Sequence, residues 1–320
     1  MIKVSIIVPI YNAGHRLREC LETLINQTLR EIEIICVLDC PTDGSEKIAE
    51  EYAARDNRIN LIYNETNLHV AESRNRGMAA AKGEYIGFSD HDDIRALNMY
   101  EELYYNAIKY SSNVVISNSI IRSNNEDIVC KYKNYTHEGL IKSLIIGNSD
   151  KNENFLSSVV WSNIYRNSFI KDNKISFLDR VNKYLEEDVL FNLTVYLNTD
   201  KISFVNKAFY VWQKHPDSLS EKWETNEADK RLNQYTKMYE LLSSVNLFKK
   251  YRLAYLTSLE YTINRYYPFF LKMKKDRLQE LKKDLKNINY PAFAKYKDLK
   301  MISKKRIKLY TFYWKLFLIK

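Results

Sequence analysis

The sequence predicts an α/β protein with a doubly wound, mostly parallel sheet, helices on both faces of that sheet, and a helical region after it. Three observations support this fold class. Short apolar runs rich in Ile and Val alternate with helical patterns over the first 120 residues. The apolar spacing after residue 225 is helical. The sequence shows no internal repeat that would indicate a solenoid or a propeller. The predicted strands are residues 4–8, 32–38, 59–63, 85–88 and 114–117.

The helices are predicted from apolar residues that recur at helical spacing. In a doubly wound sheet, ligands bind at the carboxyl ends of the strands, so we expect the functional residues there. The predicted helices between the strands are a segment containing Leu17, Cys20, Leu21 and Leu24, and residues 45–55, 71–82 and 99–110. Further along, one helical face holds Leu232, Tyr235, Met238 and Leu242, and another holds Leu256, Leu259, Ile263 and Tyr266.

The composition is that of a globular protein. Of the 320 residues, 45% are hydrophobic and 28% are charged, which excludes an intrinsically disordered chain. The four cysteines, Cys20, Cys36, Cys40 and Cys130, show no metal-binding spacing, and we expect reduced thiols in a cytosolic protein. The first apolar run is short and is interrupted by Pro9, so we expect neither a signal peptide nor a membrane-spanning segment.

The net charge of +9 is concentrated at the end of the sequence. Residues 271–320 hold fourteen Lys and two Arg against four acidic residues, so the rest of the chain is slightly acidic. Residues 303–320 interleave basic residues with Tyr, Phe and Trp, a pattern that favours an anionic membrane surface over nucleic acid as the partner. A final helix packed on the rest of the protein is the alternative.

A cluster of acidic residues follows the fourth predicted strand. Asp90, Asp92 and Asp93 flank His91, and three carboxylates this close repel one another unless a cation lies among them. Carboxylate oxygens suit Mg²⁺ or Mn²⁺, which usually bind one or two carboxylates together with substrate phosphates. The cluster therefore predicts a divalent metal site, with a solvated acidic turn as the alternative.

Five segments of the sequence carry a resemblance to a known family. In order they read VSIIVPIYNAG, CLETLINQTL, EIICVLDCPTDGS, ESRNRGMAAAKGEYIGFSDHDD and YLEEDVLFN. Their order and spacing resemble the family-two glycosyltransferases of bacterial polysaccharide and lipopolysaccharide synthesis, inverting enzymes of the GT-A fold, over residues 1–220. The resemblance implies transfer of a sugar from a UDP-linked donor to a hydroxyl of a cell-surface glycan or a lipid-linked glycan.

The resemblance assigns five residues to the nucleotide. Pro9 and Tyr11 match the nucleotide-facing turn after the first strand, and the Tyr11 ring could stack on the base. Asp39 matches the carboxylate that reads the uracil edge, Arg74 the arginine near the nucleotide, and Asp90 a ribose contact. Three of the five have a structural alternative: Tyr11 as a packing residue, Asp39 as a helix cap or turn residue, and Arg74 as a surface charge.

The resemblance assigns the remaining roles to the metal and the acceptor. Asp92 would hold the ion that bridges the diphosphate, and His215 matches a diphosphate or metal contact, with an exposed loop histidine as its alternative. Asp188 would be the general base that takes the proton of the acceptor hydroxyl, and Glu187 would lie on the acceptor side. Helix capping by acidic residues is the alternative for both.

The sequence departs from the family pattern at two positions near the expected nucleotide. Leu38 stands where the family often has an acid or Asn, and His69 stands where it usually has Gly. We expect both departures to bear on the identity of the donor more than on the reaction.

The resemblance also organises the chain. It predicts a catalytic domain at 1–224, with a nucleotide-sugar half at 1–120 and an acceptor half at 121–224. The helical spacing and the charge of the remaining residues predict a basic helical region at 225–320. We expect a cytoplasmic protein, held peripherally at the inner face of the plasma membrane if 303–320 binds lipid. A nucleotidyltransferase of similar fold and a non-catalytic glycan-assembly scaffold stay open as alternatives. The first normally has a Gly-rich loop after the first strand, and the second has no need of Asp92 and Asp188.

Overall fold

The structure is a computed structural model that describes seven stretches of the chain. The chain forms two compact units. The units are residues 1–247 and 248–320. The functional division at residue 224 stays a prediction. The described stretches are 1–123, 126–131, 136–146, 158–178, 183–184, 186–215 and 227–270.

The first unit is built on one mixed sheet. Within the described residues its strands are β1 (Val4–Ile10), β2 (Ile32–Leu38), β3 (Ile59–Tyr63), β4 (Tyr85–Phe88), β5 (Ile94–Arg95), β6 (Val114–Ser123), β7 (Glu126–Cys130), β8 (Asn163–Arg166) and β9 (Ile202–Gln213). Their order is β3-β2-β1-β4-β8-β6-β9-β5, with β7 beside β6. The four cysteines are free thiols, as predicted.

Helices cover both faces of the first half of this sheet, in which β3, β2, β1 and β4 are parallel. Alternate side chains of β1 point to opposite faces. Val8 and Ile10 pack in a core with three helices, whereas Ile7 lies against a fourth helix on the other face. The predicted α/β class is therefore confirmed. The three helices on the first face are α1 (Arg16–Ile25), α2 (Ser45–Arg55) and α4 (Met99–Tyr110), and the fourth is α3 (His69–Ala80).

Helix α3 approaches β1 closely at Gly77. A Cβ atom built on Gly77 would lie 2.4 Å from Cγ2 of Ile7 and 3.1 Å from its Cγ1, far inside ordinary contact. The helix can therefore lie at this height above the strand only because the residue has no side chain. This contact fixes the level of α3 and of the polar residues that the helix carries.

The second half of the sheet is mixed, with more antiparallel pairing than the apolar runs predict. Strand β8 pairs antiparallel with β4 and β6, while β9 runs parallel to β6. Strands β5 and β7 are antiparallel to β9 and β6. The register between β6 and β9 shifts on both sides of Asn118, where β9 uses additional residues. The helices of this half are α5 (His137–Ile146), α6 (Asn167–Asp172), α7 (Glu187–Asn198) and α8 (Glu227–Ser244).

The second unit is described over a single helix, α9 (Phe248–Phe270). Phe248 and Tyr255 form an edge-to-face pair with ring centroids 5.4 Å apart. Together, α8 and α9 confirm, as far as residue 270, the helical pattern predicted after residue 225. Among the described helices, none is long and apolar enough to cross a membrane. Residues 303–320, which are predicted to bind an anionic membrane surface, lie outside the described residues.

Candidate active site

The loops after β1 and β2 are tied to each other at the carboxyl edge of the sheet. The backbone N–H of Thr42 donates to Asn12 Oδ1 (2.8 Å), and that of Gly14 donates to Asp43 Oδ2 (2.6 Å). Pro9 is buried in β1, and its carbonyl accepts a hydrogen bond from His91 Nδ1 (3.0 Å). Tyr11 is 45% exposed, so its ring is available at this edge rather than packed in the core.

Asp39 lies buried directly after β2 and does not cap α2, the helix that follows it. Its Oδ1 accepts hydrogen bonds from Asn64 Nδ2 (2.6 Å) and from the backbone N–H of Leu68 (2.7 Å). Asp43 fills the capping role instead, since its Oδ1 accepts from the backbone N–H and the hydroxyl of Ser45 at the start of α2. Within the described residues, Asp39 Oδ2 accepts no hydrogen bond, so one oxygen of a fixed carboxylate is available to a ligand.

The two departures from the family pattern have different structural consequences. Leu38 packs in the hydrophobic core, so it does not change the polar edge that follows it. His69 begins α3 with φ at +64°, a left-handed conformation that favours Gly. Asn12 (φ +51°) and Cys40 (φ +55°) share this conformation in the neighbouring loops. Strained backbone of this kind tends to cluster at ligand-binding sites, where the surrounding structure holds it in place.

The acidic loop after β4 is fixed to β9. The hydroxyl of Tyr210 accepts from the backbone N–H of Asp90 (3.0 Å). Gln213 contacts the loop twice, through its backbone N–H to Asp93 Oδ1 (2.8 Å) and through Nε2 to the carbonyl of Asp92 (3.0 Å). These contacts hold the backbone of the loop and leave the side chain of Asp92 half-buried, without a hydrogen-bond partner among the described residues.

Two carboxylates of the same loop, Asp92 and Asp93, have no cationic partner among the described residues. Burial raises the pKa of the Asp93 carboxyl well above its usual value, and the charges of Asp90 and Asp92 raise it further. Asp93 Oδ2 is buried without a hydrogen-bond partner among the described residues. His215 is half-buried two residues beyond Gln213. The described residues contain no preformed group of three possible ligands, and the oxygen donors suit a cation that completes its coordination with substrate.

Arg74 joins the acidic loop to the beginning of α7. Its Nη2 donates to Asp90 Oδ1 (3.1 Å), and its Nη1 donates to Glu187 Oε1 (3.0 Å) and Asp188 Oδ1 (2.5 Å). The guanidinium lies 5.2 Å from the centre of the Phe177 ring, and the Arg74 side chain is 4% exposed. Arg74 is therefore a buried junction between three carboxylates and not a surface charge.

The beginning of α7 is anchored from a neighbouring helix. Glu186, directly before α7, accepts from both terminal nitrogens of Arg231 (2.7 and 3.1 Å) and from Gln234 Nε2 (3.1 Å), both on α8. Asp188 keeps 21% of its side chain exposed. Burial is the largest cause that raises the pKa of Asp188, with Glu187 and Asp90 adding to it, while Arg74 opposes it.

The structure brings together residues that the sequence could not connect. Asp90 and Asp188 meet at Arg74 although they are distant in the chain, and Arg74 and Asp188 are 114 positions apart. Tyr210, Arg231 and Gln234, which hold the site in place, have no motif that would mark them. Nothing in the local sequence distinguishes them from the other polar and aromatic residues of β9 and α8.

Comparison with known proteins connects this geometry to a family. Residues 5–173 match the family described as Glycosyl transferase family 2. The chain is 31% identical over 255 residues to the Putative glycosyltransferase EpsH of Bacillus subtilis (strain 168), covering 78% of this chain and 72% of that protein. It is 28% identical over 220 residues to the Poly(ribitol-phosphate) beta-N-acetylglucosaminyltransferase TarS of Staphylococcus aureus (strain Mu50 / ATCC 700699), covering 66% of this chain and 35% of that protein.

A solved structure shares the fold. The crystal structure of S. aureus TarS 1-349 in complex with UDP-GlcNAc superposes with a TM-score of 0.72 at 22% identity, covering 99% of this chain and 88% of that chain. The fold and the acidic edge of the sheet thus define a glycosyltransferase with a GT-A fold. The chain belongs to glycosyl transferase family 2.

Proposed function

We propose that this glycosyltransferase moves a sugar from a UDP-linked donor to a hydroxyl of a cell-surface glycan, by a metal-assisted displacement that inverts the anomeric centre. The observation that carries the proposal is the junction at Arg74, which binds Asp90 of the expected donor side and Asp188 of the expected acceptor side. A transfer reaction needs both substrates in contact at one point, and this junction is where the two groups of acids meet.

The donor side of the edge suits a uridine nucleotide. Asp39 is held through Oδ1, which leaves Oδ2 to accept the N–H of a uracil ring. The exposed ring of Tyr11 offers a face on which the base could stack. TarS, the structural neighbour, is solved with UDP-GlcNAc, which supports a UDP-linked donor for this chain.

The acidic loop fits a divalent cation. Asp90 is paired with Arg74, but Asp92 and Asp93 have no cationic partner among the described residues. Asp92 would hold Mn²⁺ or Mg²⁺, with His215 as a further ligand at the end of β9. When bound, the ion would stabilise the negative charge that develops on the diphosphate. The contacts of the loop with β9 would keep Asp90 and Asp92 in position beside the nucleoside diphosphate, which is the leaving group.

The acceptor reacts through the carboxylate of Asp188. As the acceptor oxygen attacks the anomeric carbon, its proton passes to Asp188 Oδ2, the oxygen that Arg74 does not hold. The bond between the anomeric carbon and the diphosphate oxygen breaks, and its electron pair leaves with UDP. Attack from the side opposite the diphosphate inverts the anomeric centre. A raised pKa makes Asp188 a stronger base than an ordinary carboxylate, which favours this role.

A panel of nucleotide sugars tests the proposal. We expect the purified protein to hydrolyse UDP-linked sugars slowly, to hydrolyse GDP- and CMP-linked sugars less, and to stop when a chelator removes divalent metal. Preference for a donor other than a UDP-sugar, or full activity in the chelator, would contradict it. Release of pyrophosphate from a nucleoside triphosphate and a sugar phosphate would favour the nucleotidyltransferase instead.

The proposal also includes the location of the protein in the cell. Residues 303–320 would hold the protein on the anionic inner face of the plasma membrane, beside a lipid-linked acceptor. This part of the proposal depends on sequence alone. It is tested separately from the reaction, by the liposome experiment given below.

A further inference from the structure

We infer that Arg74 is a positioning residue for the general base, and that it acts through Asp188 and not through contact with the nucleotide. In this arrangement the guanidinium holds one oxygen of Asp188 so that the other oxygen faces the acceptor hydroxyl. It also links Asp188 to Asp90, so the position of the base is fixed relative to the expected donor side of the site. The inference rests on the role proposed above for Asp188.

Three N–H groups of Arg74 donate to carboxylates of the protein, and the side chain is almost fully buried. A guanidinium has five N–H groups. Nη1 donates to Glu187 and Asp188, and one Nη2 hydrogen goes to Asp90. The N–H of Nε has no partner among the described residues, but it is buried and is therefore not exposed to the open site. With a side chain 4% exposed, Arg74 is committed to carboxylates of the protein.

A second set of contacts holds α3, which carries Arg74, in a fixed position relative to α7, which carries Asp188. Phe177 lies under the guanidinium and stacks on Phe191 of α7, with ring centroids 4.1 Å apart and planes 7° from parallel. Asn75, next to Arg74 on α3, donates to the carbonyl of Phe177 (3.1 Å) and accepts from its backbone N–H (2.9 Å). The helix that carries Arg74 and the helix that carries the base are thus joined twice.

A lysine cannot replace this junction. The guanidinium reaches Asp90 and the α7 carboxylates with two different nitrogens, whereas a Lys ammonium is a single point charge on a flexible stem. Arg74→Lys would keep the positive charge and lose the simultaneous contacts. Arg74→Met would lose the charge as well. Comparing the two separates the orientation of the base from its electrostatics.

The charges around Asp188 give the expected direction of a pH effect. The groups that face it are Arg74 on α3, Asp90 after β4, Glu187 on its own helix and Tyr165 on β8. Arg74 lowers the pKa of Asp188, while burial and the two acids raise it. Loss of the positive charge would raise that pKa further. Asp188 would then be protonated at a higher pH, and the acidic limb of the rate profile would move upward.

The first test measures transfer rate against pH, with UDP-sugar as the donor and one fixed acceptor. For Arg74→Lys we expect kcat to fall about 10-fold or more with the donor KM within about 3-fold of wild type, and the acidic limb to stay in place. Arg74→Met should also move the limb to higher pH. Arg166→Lys is the matched control, because Arg166 also pairs with a carboxylate (Glu84, 3.1 Å) and covers a tyrosine ring, at the opposite end of β4.

The second test is a double-mutant cycle with Asp188→Asn. If Arg74 acts through Asp188, adding Arg74→Lys to Asp188→Asn should cost less than about 2-fold in kcat, because residues that act as a unit are non-additive. Thermal unfolding of each variant checks that it is folded. If Arg74→Met does not fold, the Lys variant and the cycle still decide the question.

Three outcomes would overturn parts of this reasoning, and they can be told apart. A raised donor KM with unchanged kcat in Arg74→Lys would make Arg74 a nucleotide contact. Full additivity in the cycle would show that Arg74 acts independently of Asp188. A wild-type rate for Asp188→Asn alone would remove the base itself, and with it the proposed mechanism rather than only the role of Arg74.

Discussion

Gly77→Ala should change catalysis more than stability, because the packing of α3 on β1 sets the level of Arg74. The added Cβ would lie 2.4 Å from Ile7 Cγ2, whereas carbon atoms prefer about 3.5–4.0 Å. The helix or Ile7 must therefore move by about 1 Å. Overpacking costs about 1–3 kcal/mol. The helix gains about 1 kcal/mol when Gly becomes Ala. We expect a net loss of roughly 0–2 kcal/mol.

The expected effect on activity is larger. Gly77 is one helical turn from Arg74, so a shift of α3 moves the junction with Asp188. A misplacement of about 1 Å can cost about 100-fold in rate. The measurements are thermal unfolding, where about 2–4 °C per kcal/mol is expected for a unit of this size, and steady-state transfer kinetics. We expect a modest fall in Tm and a fall in kcat of about 10-fold or more.

Two controls isolate the cause. Ala79→Gly, at an exposed position of the same helix, tests helix propensity alone and should cost up to about 1 kcal/mol with no change in kcat. Ile7→Ala removes the atoms that clash, so its combination with Gly77→Ala should restore kcat toward that of Ile7→Ala alone. A wild-type kcat for Gly77→Ala, or purely additive effects in the combination, would refute the reasoning.

The remaining predictions concern the acids and the end of the chain. Asp188→Asn should lower transfer by about 100-fold or more while leaving UDP-sugar affinity near normal, and Glu187→Gln should lower it less on the same acceptor. An equal loss in both variants would contradict the assignment of the base. Asp92→Ala should abolish the Mn²⁺ dependence of UDP binding in calorimetric titration without changing the circular dichroism spectrum, and retained dependence would remove Asp92 from the metal site. Deleting 303–320 should weaken flotation with anionic liposomes, and full-length binding should fall as salt rises to 1 M, where the screening length is about 3 Å. Equal flotation of both proteins would leave the segment as a packed helix.

The donor half of the fold could be predicted from sequence because its signals are local. Strands β2, β3 and β4 and helices α2 and α4 have the predicted bounds, since each strand is a mostly apolar run between turn residues. Helix α3 begins at His69, two residues before the predicted start. His69 is polar, so the apolar spacing did not include it, and it enters the helix in a left-handed conformation that the spacing does not encode.

The acceptor half could not be predicted in the same way. Strand β5 has two residues, too few for a period to be recognised. Strand β8 has four, but Asn163 and Arg166 at its ends leave no continuous apolar run. Their position is set by pairing with strands that are distant in sequence. The candidate residues were found by resemblance to the family, but their partners were not. The contact between Arg74 and Asp188 depends on how α3 and α7 pack, and no local pattern encodes that.

The order of strands in the sheet has a consequence for synthesis on the ribosome. β1 to β4 are complete once Phe88 has been made, but the second neighbour of β4 is β8, which begins at Asn163. The second edge of β4 therefore stays unpaired while roughly 75 further residues are made, which takes about 4–15 s at 5–20 residues per second. During that interval the nascent chain presents an apolar strand with unpaired backbone groups, a template for pairing with other chains. Translation pauses between residues 88 and 163 should lower the yield of folded protein more than pauses elsewhere, and chaperones that bind open sheet edges should act on this stretch first.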